Sequence, residues 1–180
     1  MREAYITDTE RFFDDDEIIV SKTDLKGYIT YANKVFLSIA DFTEKEVLGQ
    51  PHSLIRHPSM PRSIFKLLWE TLEKKQEIFA YVKNRAKNGD HYWVIAHVTP
   101  SKDKEGNIVG YHSNRRVPAR KTLNETIIPL YNDLLSEENQ DNRKQGLENS
   151  YSKLTSLLAS KDLEYDEFIA SVMNNEGAKL

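Results

Sequence analysis

Asn84 sits where an amide has to find chemistry of its own. Alternation along Ile78 to Asn84 puts Ile78, Ala80, Val82 and Asn84 on one face of a strand, with Phe79, Tyr81 and Lys83 on the other. If the apolar face is inward, the Asn84 carboxamide lies in a core where unpaired amides are costly. A neighbouring backbone or side-chain group would satisfy it, and so would a planar heteroaromatic ligand with a donor and acceptor edge. Asn33 ends one strand and opens a helix, a position equally suited to a helix cap and to a pocket rim. In Leu54-Ile55-Arg56-His57-Pro58 a cation and an imidazole stand together just before Pro61. The pair suits a phosphate group, and a solvated turn accounts for it equally well, since no glycine-rich loop accompanies it.

Other chemistries are excluded by type and spacing. The histidines at 52, 57, 91, 97 and 112 never take the i, i+4 spacing with an intervening glutamate of a zinc hydrolase. Neither a Gly-x-Ser-x-Gly elbow nor a Walker loop is present. The chain has no cysteine, which removes disulfides, thiolate nucleophiles, cysteine-ligated metals and cysteinyl cofactor adducts together. The expectation is a protein with neither catalytic residues nor a metal site. A formal net charge of −3 gives no broad support for binding nucleic acid. No apolar run approaches the roughly 18 residues that span a bilayer. The opening Met1, Arg2, Glu3, followed by Asp14 to Asp16, is not a secretory signal, so the expected location is cytoplasmic.

The elements that must position these residues are short. Ile18 to Val20 and Tyr28 to Tyr31 flank a polar, glycine-ended turn and predict a hairpin. Thr43 with Glu46, and Gly49 beyond, has the form of a capping box with a glycine stop. A helix is predicted from Pro61 to about Lys75, with Ile64, Leu67, Leu68, Thr71 and Leu72 as its buried stripe. Three antiparallel strands follow at 78–85, 91–99 and 108–116, separated by turns at Lys87 to Asp90 and Asp103 to Asn107. This is an α+β domain with helices on one face of a five-stranded antiparallel sheet. The division is an N-terminal extension at 1–16, a domain at 17–118 and a helical extension at 119–180. In that extension Leu147, Tyr151, Leu154 and Leu158 form one stripe, and Phe168, Ile169 and Val172 another. Such stripes serve either to cap the core or to dock or dimerise.

Three stretches then resemble a known family: Ile-Val-Ser-Lys-Thr-Asp-Leu-Lys-Gly-Tyr-Ile-Thr-Tyr-Ala-Asn (19–33), Gly-Gln-Pro-His-Ser-Leu-Ile-Arg-His-Pro-Ser-Met-Pro (49–61) and Val-Lys-Asn-Arg-Ala-Lys-Asn-Gly-Asp-His-Tyr-Trp-Val (82–94). They resemble the PAS domains of aerotaxis receptors, over about residues 17–118. The resemblance implies a PAS fold with non-covalently bound FAD between helices and sheet, and a redox or energy-taxis signal passed to a chemotaxis receptor. It places flavin-associated positions on Asn33, Arg56, His57 and Asn84. Two positions depart from the pattern, with Ser59 where the family carries aspartate and Ile78 where it carries tryptophan. The resemblance further implies an input unit that docks on a separate transducer, with the helical extension as the docking or homodimerising surface and no insertion into the membrane. The competing readings are a haem sensor, which needs an axial histidine that the predicted long helix lacks, and a cofactor-free interaction module.

Overall fold

The computed structural model describes residues 5–140 and 142–174. The opening Met1, Arg2 and Glu3 and the end of the helical extension, residues 175–180, lie outside the described residues. Five strands, β1 (Ile19–Thr23), β2 (Ile29–Ala32), β3 (Ile78–Arg85), β4 (His91–Lys102) and β5 (Ile108–Arg116), form one antiparallel sheet in the order β2-β1-β5-β4-β3. β3 and β5 have the limits their alternation predicts. β4 runs past the expected Thr99 because Thr99, Pro100 and Ser101 stay paired with His112, Tyr111 and Gly110. Gly110 is required there, since a Cβ would lie 2.2 Å from the Thr23 carbonyl oxygen of β1.

One face of the sheet carries α1 (Lys34–Ala40), α2 (Glu44–Val47), a 3₁₀ turn (His52–Ile55) and α3 (Arg62–Glu73). α2 is begun by the Thr43–Glu46 capping box, the Glu46 carboxylate accepting the Thr43 backbone N–H at 2.9 Å. α3 buries Ile64, Leu68 and Leu72 along its stripe, with Leu67 and Thr71 half-buried beside them. This face of the sheet, with Ile19, Ile29, Ala80, Val94 and Ala96 beneath Phe36, Ile55 and Ile64, is the main core.

The segment before β1 completes the sheet. β5 reaches β4 only from Ile95 onward, leaving the first residues of β4 with a free edge. Thr7 N–H donates to Gly89 O at 2.9 Å, His91 N–H to Thr9 O at 3.0 Å and Arg11 N–H to His91 O at 2.7 Å, so residues 7–11 occupy that edge. Arg11 also grips Asp90, at 2.9 Å.

After β5 come α4 (Arg120–Thr122), a π-helical turn (Leu123–Ile127), α5 (Ile128–Glu138), α6 (Arg143–Ser160) and α7 (Tyr165–Asn174). The wide turn has a cause in Pro129, whose ring in an ordinary helix would meet the carbonyl of Glu125 and which has no N–H to offer. These helices pack on the rest of the chain. Glu138 accepts the Ser63 N–H at 3.0 Å and pairs with Arg62 at 2.8 Å; the Ser63 and Ser150 hydroxyls meet at 2.7 Å; Tyr131 OH donates to Tyr81 O at 2.7 Å. Leu154 and Leu158 of α6 and Phe168, Ile169 and Val172 of α7 are buried. The stripes that the sequence offered for capping or for docking are thus covered within the chain at these residues, with Leu147 and Tyr151 half-buried.

Because Leu154 is fully buried in this shared core, Leu154→Ala should cost about 2–5 kcal/mol. Urea denaturation followed by far-ultraviolet circular dichroism is expected to give one transition at lower midpoint. A separate early loss of helix would show that the extension is not part of the cooperative unit.

Candidate functional site

A cavity of about 300 Å³ opens between the segment 51–56, α3 and the sheet, lined by Gly27, His52, Arg56, Phe65, Trp69 and Asn84 among others. A smaller one of about 80 Å³ shares Gly27, His52, Leu68 and Trp69 with it and reaches Ser21, Ser113 and Arg115. The two together reach the lower end of the range that small-molecule sites occupy, roughly 300–1,000 Å³. Gly27, at φ +81°, turns the β1–β2 connection beside the Trp69 ring, where a side chain would be strained.

Asn84 faces this cavity. It is 3% exposed, lies opposite Tyr92 on β4, and its Nδ2 has no hydrogen-bond partner among the described residues. Arg56 is bridged to Asn84 through the backbone, and its guanidinium lies 4.0 Å from the centroid of Phe65. Partial burial lowers the pKa of Arg56, so a cation stands in the cavity wall at a desolvation cost.

The other two expected residues stand elsewhere. Asn33 caps α1: its Oδ1 accepts from Phe36 N at 2.9 Å and Val20 N at 3.0 Å, and its Nδ2 donates to Ile18 O at 2.7 Å. It joins helix to strand and does not line either cavity. His57 is buried but lines neither cavity. Its neighbour Arg56 takes the cavity side of an extended segment, and successive side chains on such a segment alternate. Its Nδ1 accepts from the Ser59 N–H at 3.1 Å and meets the Ser59 hydroxyl at 2.6 Å, while Nε2 has no partner and the ring lies 5.8 Å from that of His91.

The remaining polar residues of the inner face were not singled out in the sequence. Arg115, 3% exposed, donates through Nη2 to Ser21 Oγ at 2.9 Å and meets His52 Nε2 at 2.6 Å. Its Nη1, the Ser113 hydroxyl and the Tyr92 hydroxyl have no partner among the described residues. All stand on the face that carries Asn84, since Ser113 pairs with Val98, Arg115 with Ala96 and Tyr92 with Asn84. Period-two alternation along β5 from Tyr111 was the signal that would have found Ser113 and Arg115. Trp69 carries no comparable signal, because it flanks the α3 stripe instead of lying on it. Donors from Asn84, Ser113 and Arg115, with aromatic walls from Phe65 and Trp69, fit a planar heterocycle bearing carbonyl acceptors, while Tyr92 stands on the same face without lining either cavity.

Among known proteins, the PAS fold family matches residues 29–115. The aerotaxis receptor of Escherichia coli K12 is 44% identical over 132 residues, which is 72% of this chain and 25% of that receptor. A nitrogen fixation regulatory protein of Klebsiella pneumoniae is 29% identical over 99 residues, 55% of this chain and 20% of its own length. The chain thus spans about a quarter or less of these relatives. Of solved structures, the light state of the Aureochrome1 LOV photoreceptor superposes with a TM-score of 0.52 at 21% identity, covering 68% of this chain and 91% of that one. A light-oxygen-voltage domain studied with a flavin analogue gives 0.54 at 22% identity, covering 64% and 87%. At such identities the likeness is one of fold.

Two imidazoles carry a pH consequence. Desolvation, aided by Arg115, pushes His52 down to about 3; desolvation, with Lys83, His91 and Arg85 adding to it, pushes His57 down to about 4. Both are neutral in the fold, while unfolded they take a proton near pH 6.5. Between those values the unfolded chain binds more protons, so stability is retained above pH 6.5 and lost as pH falls toward 4. Thermal melting from pH 7 to 4 is expected to show this decline, and His57→Gln should flatten it. An unchanged profile in that variant would mean that His57 takes its proton as readily in the fold as in the unfolded chain.

Proposed function

The chain belongs to the PAS fold family, and on that footing we propose that it is a redox sensor in energy taxis, holding FAD non-covalently between α3 and the sheet and signalling to a chemoreceptor partner. The observation that carries the reading is the set of buried donors without partners on the cavity side of the sheet, Asn84 Nδ2, Tyr92 Oη, Ser113 Oγ and Arg115 Nη1. Buried polar groups of this kind are rarely left alone, and a ring with carbonyl and nitrogen acceptors answers them. The likeness to an aerotaxis receptor over 72% of the chain supports the same reading.

When bound, a flavin supplies a ring whose charge and hydrogen-bonding pattern change on reduction. The chain's part is to hold it and to register that change. Asn84 offers both a donor and an acceptor and can reverse its carboxamide to suit either pattern. Arg56 and Lys26, both lining the larger cavity, provide positive charge for a phosphate. Phe65 and Trp69, which line the same cavity, would supply aromatic contact to the apolar part of the ring. His57, in this reading, acts at one remove, through its hold on Ser59 and thereby on the course of the segment that carries Arg56. Asn33 acts by fixing α1 to β1.

Asn84 lies on β3, whose backbone is read by the helical extension: Tyr131 of α5 is bonded to Tyr81 O, and α7 packs on the same strand. A reorganisation at Asn84 that shifts β3 must be followed by α5, because the alternative is an unpaired buried Tyr131 hydroxyl. This gives a route from ring to helices and so to a partner. The haem alternative lacks a histidine on α3, and the cofactor-free alternative leaves the donors unanswered.

The visible spectrum of the purified protein is expected to carry flavin bands, restored by added FAD if lost. Asn84→Ala should weaken FAD about tenfold, the worth of one hydrogen bond at about 1.4 kcal/mol, with the fold intact. Asn33→Ala should instead lower the melting temperature, for loss of a cap worth ~1 kcal/mol, while the folded fraction keeps its flavin. A Soret band would assign the cavity to haem, and a colourless protein that takes up no FAD would overturn the reading.

A further inference from the structure

Arg115 has no ion-pair partner among the described residues. Among the described residues every salt bridge joins other groups, and no carboxylate influences it; the neighbouring ionisable group is Tyr92, which burial keeps in its neutral phenol form. Its hydrogen-bond partners are neutral as well. A guanidinium has only donors, so His52 Nε2 must accept from it and is therefore unprotonated, and Ser21 contributes a hydroxyl. The Phe36 ring lies 5.7 Å away, a weak substitute for an anion. A buried, fully charged arginine with neutral neighbours is among the costlier arrangements a core can contain. Desolvation lowers its pKa only to about 10, so the charge persists at neutral pH. Nη1 remains without a partner, on the side of the sheet that lines the smaller cavity.

We propose that Arg115, held by Ser21 and His52, is the charge-matching residue of the cavity: it favours a planar ligand in whichever state carries a negative charge on its buried edge. The inference rests on the flavin reading above and specifies which redox state the cavity prefers. Reduction of the ring by two electrons, with uptake of one proton, leaves a single negative charge, and Arg115 is placed to neutralise it. The oxidised, neutral ring gains only a hydrogen bond. Arg115 therefore raises the midpoint potential of the bound ligand by binding its reduced form more tightly.

The test measures dissociation constants of FAD for wild type and Arg115→Met under anaerobic conditions, once with the oxidised cofactor and once after dithionite has supplied two electrons and water one proton. The melting temperature of each ligand-free protein is taken alongside. In Arg115→Met the reduced form is expected to lose at least tenfold more affinity than the oxidised form, which lowers the midpoint by about 30 mV for each tenfold. The ligand-free variant should melt no lower than wild type, since an uncompensated charge has been removed. Arg115→Lys should keep most of the preference. If Arg115→Met does not fold, Arg115→Gln, with donors but no charge, carries the same comparison. An unchanged ratio of the two affinities overturns the inference, and with a lowered ligand-free melting point it makes Arg115 a staple between Ser21 and His52. Failure of the wild type itself to take up FAD overturns the flavin reading and this one with it.

Discussion

β3 is an edge strand, and an unguarded edge would offer its backbone to any passing chain. Here it is closed from outside by the segment that leads into α3: Arg56 bridges Asn84, Met60 sulfur accepts the Lys83 N–H at 3.2 Å, and Arg85 reaches Leu54 O at 3.1 Å. The same strand gives its Tyr81 carbonyl to Tyr131 of the helical extension. The wall of the cavity, the cover of the sheet edge and the anchorage of the last helices thus share one stretch of backbone. Side chains on it alternate between two environments, so Asn84 can look inward while Tyr81 and Lys83 face the other side.

Part of the polar interior is concentrated. Ile19, Ile29, Val94 and Ala96 make the sheet face apolar for most of its breadth, and three of the orphaned groups, on Asn84, Ser113 and Arg115, line the two adjoining cavities. A residue such as Arg115 is costly to bury, yet its site is specified by three contacts that leave one edge of the guanidinium free. Cores built for stability alone would spend such positions on leucine or valine. The exterior, by contrast, is ordinary: the ion pairs are mostly at the surface, and those at Asp90 and Glu138 hold chain segments together more than they add stability.

Local rules carried the fold far. The strand limits at 78–85 and 108–116, the Thr43–Glu46 box and the α3 stripe are all written in neighbouring residues, and the structure follows them. Asn84 was legible for the same reason, since a period of two needs only its own strand. His57 was not. Whether Arg56 or His57 turns toward the cavity depends on which of them bridges Asn84, a pairing between residues far apart in sequence. Arg115 was not singled out although its strand alternates cleanly, because an arginine on a strand is ordinarily exposed. The amphipathic stripes of the extension were plain, but a stripe states only that it must be covered, and the cover proved to lie within the chain.

The wide turn at Leu123–Ile127 adds a mechanical property to this arrangement. A π-helical turn accommodates one residue more than its α-helical counterpart, so the helix beyond it is wound out of phase with the helix before it. Pro129 holds that surplus at the start of α5, because an ordinary helix there would drive its ring into the Glu125 carbonyl. The phase of α5 is thereby set at its first turn, offset by about one residue's worth of helical angle, roughly 100°. Tyr131 lies on that stretch, so the bond between α5 and β3 doubles as a latch on the winding of everything that follows.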